Sequence, residues 1–178
     1  MTTPASVVFD VNVVVGAALG GMSPFRSWPA VPPTTANPFA DCMGTIVDAR
    51  EFALFVPPHI VDNTRPVLAN VFKWEAASID QFVGVLARTV VGSGGDVLDP
   101  PRRVHDCADF EDNHVLDLAV EVGALLVVSD DVDLSSMSPW GARRSCGRAS
   151  SPQGWTACGD TGAAWAVELA SAGSRQSG

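Results

Sequence analysis

Residues 105–133, HDCADFEDNHVLDLAVEVGALLVVSDDVD, decide the fold because they join a helix pattern to a short buried strand. Apolar residues recur at spacings of three and four from Val115 to Val122, which predicts a helix with one apolar face. Gly123 suits the C-terminal cap of that helix. The uninterrupted apolar run 125–128 then predicts a strand that is covered on both faces, as in a parallel sheet.

Acidic residues stand at both ends of this unit. Asp109 and Asp112 lie where the helix should begin, and carboxylates there oppose the positive end of the helix dipole. Asp131 follows the strand, and Asp10 follows a first apolar strand near residues 6–10. Because ligands in open parallel sheets bind beyond the carboxyl ends of the strands, we expect Asp10, Asp112 and Asp131 to converge.

A carboxylate cluster of this kind needs a cation. Two carboxylates about 4 Å apart repel each other by roughly 4 kcal/mol at an effective dielectric constant of about 20. Hard divalent ions such as Mg²⁺ and Mn²⁺ favour carboxylate oxygen and water as ligands. The joint pattern of Asp10, Asp112 and Asp131 therefore predicts a Mg²⁺ or Mn²⁺ site, although each aspartate alone would more commonly cap a helix or a turn.

Other polar residues are expected to have no catalytic role. Asp130 and Asp133 are interpreted as solvated turn residues. The three histidines, His59, His105 and His114, share no spacing that would indicate a catalytic group. We therefore expect each histidine to lie at the surface or at the edge of the core.

Composition limits the classes of function. The chain has 178 residues, of which 47% are hydrophobic, and this suits one domain with a sizeable core. It has no apolar run near the ~20 residues of a membrane span, no secretory signal and no C-x-x-C pair, so a cytoplasmic protein without a membrane partner is expected. A net charge of −9 and a single lysine are unlike a strong nucleic-acid binder. If the protein binds a nucleic acid, metal ions must supply much of the attraction.

The rest of the chain alternates helices with short apolar strands, which predicts an α/β sandwich with a mostly parallel sheet. Strands are expected near residues 6–10, 52–56, 96–98 and 125–128. Further helices are expected at residues 13–19, 40–49, 59–72 and 77–91. Pro66 should kink or restart the helix at 59–72.

Residues 141–178 differ from the rest of the chain. Gly, Ala and Ser make up 21 of these 38 residues, which leaves too few apolar side chains for a core element. We expect a domain over residues 1–140 and a low-complexity tail that is disordered or the product of a shifted reading frame. At most a weak helix is predicted over residues 163–172, and truncation after Trp140 is expected to change little.

Four segments resemble motifs of the PIN domain family, in particular of the VapC-type toxin ribonucleases of bacterial toxin–antitoxin pairs. They are D-x-N at 10–12, PHIVDN at 58–63, D-x-x-D-N at 109–113 and S-x-D at 129–131. In this order they resemble the family over roughly residues 5 to 140. The resemblance implies an α/β fold of the PIN type, a three-layer sandwich with a mostly parallel central sheet.

The resemblance also implies roles for single residues. Asp10, Asp112 and Asp131 would be the catalytic, metal-binding acids. Asn12 and Ser129 would orient waters of the metal or one of the acids. The chemistry implied by this set is metal-dependent hydrolysis of phosphodiester bonds.

Two helix starts carry further implied residues. Asp109 would support the start of its helix or serve as an additional ligand. The family's usual second acid, a glutamate, falls on Asn63, and Asp62 lies one residue earlier. Because adjacent helix positions do not share a face, Asp62 would replace that acid only if the register differed by one residue.

The implied function is that of a Mg²⁺- or Mn²⁺-dependent endoribonuclease, the toxin of a toxin–antitoxin pair. RNA would be its substrate, a small antitoxin protein its partner, and a homodimer its assembly. Asn63 leaves open a non-catalytic PIN-fold binding protein with a degenerate metal site. A haloacid-dehalogenase-like phosphatase also begins with a strand and an aspartate like Asp10, but Asn12 stands where that chemistry needs a second acid.

Overall fold

Short parallel strands and helices alternate along the residues that the computed structural model describes, which are 3–19, 28, 37–137 and 140 with the backbone of 166–168. The strands are β1 (Ala5–Phe9), β2 (Phe52–Phe55), β3 (Leu126–Val128) and β4 (Ala166–Glu168). The helices are α1 (Val11–Ala18), α2 (Pro38–Asp48), α3 (Pro58–Asn70), α4 (Ala76–Gly92), α5 (Phe110–Glu121) and α6 (Val132–Ser136). None of these described helices is long and apolar enough to cross a membrane.

The sheet has the strand order β2-β1-β3-β4, and all of its pairings are parallel. Val7 in the central strand β1 pairs with Leu54 of β2 and with Leu126 of β3. Val7, Val8 and Phe9 are almost completely buried, because helices pack against the sheet, with α5 in contact with β1 and α4 in contact with β2. This arrangement confirms the predicted α/β sandwich with a parallel central sheet.

The strand predicted at 96–98 is reduced to one bridge, between Val56 and Val97. Gly94 just before it adopts a positive φ of 87°, which belongs to a turn rather than to a strand. Pro100 follows two residues after the predicted strand and cannot donate a hydrogen bond to a neighbouring strand. Extended backbone is therefore confined to a few residues, and the prediction of a full strand is wrong.

The predicted restart of the helix at Pro66 is also wrong, whereas a kink at Pro66 stays a prediction. The helix α3 continues through Pro66, from Pro58 to Asn70. Proline removes the helical hydrogen bond to the carbonyl group four residues earlier, which is that of Asp62. Both Asp62 and Pro66 are exposed, so water can replace the missing donor and the helix tolerates the proline.

The backbone of residues 166–168 forms a strand where the sequence predicts at most a weak helix. In this strand, β4, Val167 pairs with Val127 of β3. The edge of β3 offers unpaired N–H and C=O groups, and pairing with them outweighs a weak local helix preference. The helix prediction is wrong for these three residues. Residues 141–165 and 169–178 lie outside the described residues, so the disordered or frame-shifted tail stays a prediction.

Truncation after Trp140 should therefore lower the stability of the protein, because it removes β4 and leaves β3 with an unpaired edge. We expect the thermal unfolding midpoint of a chain ending at Trp140 to fall by several degrees. A chain ending at residue 170 keeps β4 and should unfold close to the full chain. Equal midpoints for the two truncated chains would contradict this prediction.

Candidate metal centre and active site

The carboxyl ends of β1 and β3 lie side by side and place Asp10 next to Ser129. Phe9 pairs with Val128 in the parallel ladder, and the Asp10 N–H donates to the Val128 carbonyl at 3.0 Å. The Asp10 carboxylate caps α1 by accepting a hydrogen bond of 2.6 Å from the Val11 N–H. Asp10 is almost completely buried, so the chain turns from strand to helix around a buried carboxylate.

One buried hydroxyl group links two acid-bearing segments. Ser129 Oγ donates to Asp10 Oδ2 at 2.7 Å and accepts a hydrogen bond from the Asp131 N–H at 2.9 Å. Asn12 Nδ2 donates to the same oxygen of Asp10 at 3.3 Å. The structure therefore places Asn12 and Ser129 as donors to an acid, and together they fix the orientation of the Asp10 carboxylate.

Asp112 lies buried in the first turn of α5. Cys107 Sγ donates to Asp112 Oδ2 at 3.4 Å. Asp109 is the N-cap of α5 and accepts a hydrogen bond of 2.8 Å from the Glu111 N–H. Asn113 fastens the preceding loop, because its amide pairs with both backbone groups of Cys107 at 3.0 Å. Cys107 was expected to be only a small buried hydrophobic residue, but its hydrogen bonds with Asn113 and Asp112 hold the loop that positions Asp112.

Three carboxylates meet at the starts of α5 and α6. One oxygen each of Asp112, Asp131 and Asp133 lies within 4.8 Å of the other two. Asp131 caps α6 and accepts a hydrogen bond of 2.7 Å from the Asp133 N–H, which brings Asp133 alongside. Asp133 is exposed, as expected for a solvated residue. It lies in the first turn of α6 rather than in a turn between elements, and its contact with the other two carboxylates was not predicted. The D-x-D spacing at a helix start is the signal that indicates it.

The charges in this region affect the protonation of Asp112. Burial is the main cause that raises the pKa of Asp112 from 3.8 to about 6, and the hydrogen bond from Cys107 opposes it. The negative charges of Asp10, Asp131 and Asp109 raise this pKa as well. Asp10 is not one of the three carboxylates within 4.8 Å of one another, but its charge interacts with those of Asp112 and Asp131.

The residues present fit a divalent cation. Burial raises the pKa of Asp10 also, while hydrogen bonds from Ser129 and the Val11 N–H lower it. Ligands on opposite sides of a Mg²⁺ ion lie about 4 Å apart, which suits the spacing in the cluster. The ligand atoms on offer are carboxylate oxygens, which hard divalent ions favour, and such an ion would relieve the repulsion between them.

A comparison with known families agrees with this chemistry. A family model described as a PIN domain matches residues 6–133. The chain belongs to the PIN domain family. PIN domains are generally nucleases that use divalent metals, and this one has an acidic cluster that could hold such an ion. The curated proteins and the solved structures give no match. The family match argues against the haloacid-dehalogenase-like alternative.

In this PIN domain, position 63 faces α5 and position 62 does not. Asn63 Nδ2 donates to Glu111 Oε2 at 3.1 Å. Asp62 is exposed and lines an apolar groove between α3 and α4, together with Val61 and Val83. The two side chains therefore point to different sides of α3. Among the residues that the structure describes, α3 adds no carboxylate to the cluster.

Two histidines of this PIN domain come together although no sequence spacing relates them. The ring centroids of His59 and His114 are 5.0 Å apart in an edge-to-face contact. Burial lowers the pKa of His59 to about 4 and also lowers that of His114. Both are half-buried and His105 is exposed, so the expected positions at the surface or core edge hold. The contact itself was not predicted, because it depends on how α3 meets α5.

Proposed function

We propose that this PIN domain is a metal-dependent endoribonuclease that cleaves RNA phosphodiester bonds with Mg²⁺ or Mn²⁺. The observation that carries the proposal is the meeting of Asp112, Asp131 and Asp133 carboxylates within 4.8 Å, beside a buried Asp10 whose charge raises the pKa of Asp112. Clustered carboxylates repel one another and do not stabilise an apoprotein, so their convergence supports a metal-binding role.

The three aspartates Asp10, Asp112 and Asp131 are the catalytic ligands in this proposal, and Asp133 is a further ligand. A bound Mg²⁺ or Mn²⁺ supplies Lewis-acid stabilisation of the charge that develops on the phosphate. Asp109 keeps its role as the N-cap of α5, where it adds to the negative field that attracts the cation.

Supporting residues keep the acids oriented before substrate arrives, which is the condition for effective electrostatic catalysis. Ser129 and Asn12 donate to Asp10 Oδ2 at 2.7 and 3.3 Å. Hydrogen bonds to the ionised form keep a carboxylate charged, and so available as a ligand, at neutral pH. Cys107 Sγ likewise donates a hydrogen bond to Asp112 Oδ2, at a longer distance of 3.4 Å.

Cleavage of a labelled single-stranded RNA by the purified chain is the direct test. We expect cleavage in Mn²⁺ or Mg²⁺ and none in EDTA. Because the chain carries a net charge of −9, both the association with RNA and the cleavage step should depend on the divalent ion. RNA cleavage that persists at full rate in EDTA would contradict a metal-dependent mechanism.

We further propose that the protein is the cytoplasmic toxin of a toxin–antitoxin pair. The VapC-type resemblance of its four motif segments supports this role. Its partners would be a small antitoxin protein and a second copy of the chain in a homodimer. Induced expression should stop the growth of a bacterial host, and co-expression of a short neighbouring reading frame should restore it. Normal growth in the presence of full ribonuclease activity would contradict the toxin role and leave the ribonuclease proposal intact.

Asn63 favours one alternative, a non-catalytic PIN-fold binding protein with a degenerate metal site. Its amide is engaged with Glu111, at the position where the family pattern has a glutamate. An amide oxygen can coordinate Mg²⁺ but brings no negative charge. A non-catalytic protein would bind its partner but would not cleave RNA at any metal concentration. An enzyme with a weak metal site would cleave RNA at millimolar Mn²⁺.

Asn63→Glu should tighten Mn²⁺ binding about tenfold, or by ~1.4 kcal/mol, and raise the cleavage rate. The change adds a carboxylate on the side of α3 that faces α5. Without metal the new carboxylate would lie beside Glu111, so the apoprotein should lose stability and recover it when Mn²⁺ is added. Calorimetric Mn²⁺ titration and thermal unfolding with and without Mn²⁺ measure both effects.

Asp62→Ala is the matched control for this variant, because Asp62 lines the groove between α3 and α4. It should change neither Mn²⁺ affinity nor cleavage. If Asp62→Ala loses metal and Asn63→Glu gains nothing, the register is off by one residue and Asp62 is the fourth ligand.

A further inference from the structure

Phe110 leaves most of its ring in solvent beside the acidic cluster. It is the first residue of α5, between Asp109 and Glu111, and it is 65% exposed. Val132, the first residue of α6, directly follows Asp131 and is 76% exposed. Each of the two helices that contribute carboxylates to the cluster therefore begins with an exposed apolar side chain.

Ring contacts hold Phe110 in place. Phe110 meets His114 edge to face, with centroids 5.0 Å apart and planes at 74°. His114 in turn meets His59 of α3 at 5.0 Å and 77°. These three rings form an aromatic ladder, which contacts Phe110 from the protein side and leaves the exposed part of its ring open to a ligand.

An ion pair lies close to the aromatic ladder. The charge of Arg102 acts on both His59 and His114. Arg102 pairs with Asp99 at 2.8 Å, and 37% of its side chain stays exposed. The charge of Asp99 acts on the same two histidines with the opposite sign, so this ion pair brings little net positive charge to the aromatic ladder.

An RNA strand needs a contact here that does not depend on phosphate charge. A protein with a net charge of −9 gains little from phosphate contacts. Stacking of a base on an aromatic side chain does not require protein charge and tolerates every base. We propose that Phe110 is a positioning residue that stacks on a nucleobase of single-stranded RNA next to the cleaved linkage, an inference that rests on the proposed ribonuclease function.

The place of Phe110 on α5 suits a base beside the reacting phosphate. Residues 110 and 112 are two steps apart, about 3 Å along the helix axis, and such side chains point to different sides of a helix. With the phosphate at the cluster that contains Asp112, the neighbouring nucleotide would pass around the start of α5 to reach Phe110. RNA is the occupant proposed here, because the exposed ring lies two residues from Asp112, one of the carboxylates at which the proposed cleavage takes place.

The test measures binding of a fluorescein-labelled RNA of about 12 nucleotides to the full chain by fluorescence anisotropy in Mg²⁺. An Asp112→Asn background suppresses cleavage during the measurement. Phe110→Ala should raise the dissociation constant about tenfold, whereas Phe110→Trp should keep or lower it. The slope of log affinity against log salt concentration should not change, since stacking releases no counterions. Mn²⁺ affinity and the thermal unfolding midpoint should stay at the values of the background.

Phe72→Ala is the matched control, because Phe72 is 40% exposed and lies beyond the far end of α3. It should leave RNA affinity unchanged. An unchanged dissociation constant for Phe110→Ala, in a protein whose parent chain cleaves RNA, would overturn the stacking role and leave the proposed function intact. Conversion of a dimer into a monomer at unchanged RNA affinity would also overturn it, since Phe110 would then be a protein contact. A parent chain that neither binds nor cleaves RNA in Mn²⁺ would overturn both proposals.

Discussion

Asp112→Asn should reduce RNA cleavage about a thousandfold and weaken Mn²⁺ binding, while the fold remains intact. Asp112 is buried and shares the cluster with Asp131 and Asp133. Loss of a single preorganised electrostatic contact in a buried site costs about 10²–10³ in rate, and here the lost group is also a charged ligand. Initial cleavage rates and a calorimetric Mn²⁺ titration measure the two effects.

The same variant should be more stable than the parent chain when metal is absent. Burial raises the pKa of Asp112 to about 6 from its ordinary value of 3.8, so the folded protein holds this proton more tightly than the unfolded chain. Stability is therefore lost as the pH rises from about 4 to about 6. At neutral pH and above, the asparagine variant should gain about 1 kcal/mol in the free energy of unfolding, a figure discounted for solvent screening.

Asp130→Asn is the matched control, because Asp130 is an exposed neighbour of the site and its replacement changes the net charge equally. It should cleave RNA and bind Mn²⁺ at close to the parental level. Urea unfolding in EDTA at about pH 4.5 and pH 7.5 measures the stability gain of Asp112→Asn, which should shrink at the lower pH. Cleavage by Asp112→Asn at the parental rate would mean that the site is misassigned.

The places of Asp10, Asp112 and Asp131 on the strands and helices could be predicted because they depend on local rules. Asp10 follows β1 and Asp131 follows β3, and neighbouring parallel strands end at the same edge of the sheet. Asp112 was assigned to a first helical turn from the apolar spacing and from the preference of carboxylates for a helix start, and α5 does begin at Phe110. Residue spacing within short segments, together with the handful of topologies that parallel sheets allow, was sufficient for this much.

Other features depend on tertiary packing and leave little trace in the sequence. Asp133 joins the cluster through α6, a helix of five residues that is too short to show an apolar period. The contact between His59 and His114 requires α3 to meet α5. The strand at 166–168 owes its conformation to the edge of β3 rather than to a local preference, and residue composition favoured a different structure there.

Ser129→Ala should lower both stability and metal-dependent cleavage although it leaves every carboxylate in place. The Ser129 side chain is completely buried, donates to Asp10 Oδ2 at 2.7 Å and accepts from the Asp131 N–H at 2.9 Å. Alanine would leave a buried carboxylate oxygen and a backbone N–H short of a partner, and each such loss costs about 1–3 kcal/mol. Asn12 still donates to Asp10 in this variant, which limits the loss. We expect the free energy of unfolding in urea to fall by about 2–3 kcal/mol.

The loss of this hydroxyl group should also change the pH dependence of cleavage. The hydrogen bond from Ser129 lowers the pKa of Asp10 against the effect of burial, so its removal raises that pKa. Asp10 then stays protonated to higher pH, and a protonated carboxyl group is a poor metal ligand. The acidic limb of the pH–rate profile should move to higher pH, and more Mn²⁺ should be needed for half-maximal rate.

Ser129→Thr separates the effect of the hydroxyl group from that of the packing around it. Threonine keeps Oγ but adds a methyl group in a fully buried position, so it should restore the pH profile and regain only part of the stability. Ser136→Ala is the second control, because its exposed hydroxyl donates to the Asp133 carbonyl at 2.9 Å, and it should cost less than about 0.5 kcal/mol. If Ser129→Ala lowers stability without moving the profile, Ser129 supports the fold and does not tune Asp10. A profile that moves with alanine and returns with threonine ties the shift to one hydroxyl group, since the carboxylates are the same in all three proteins.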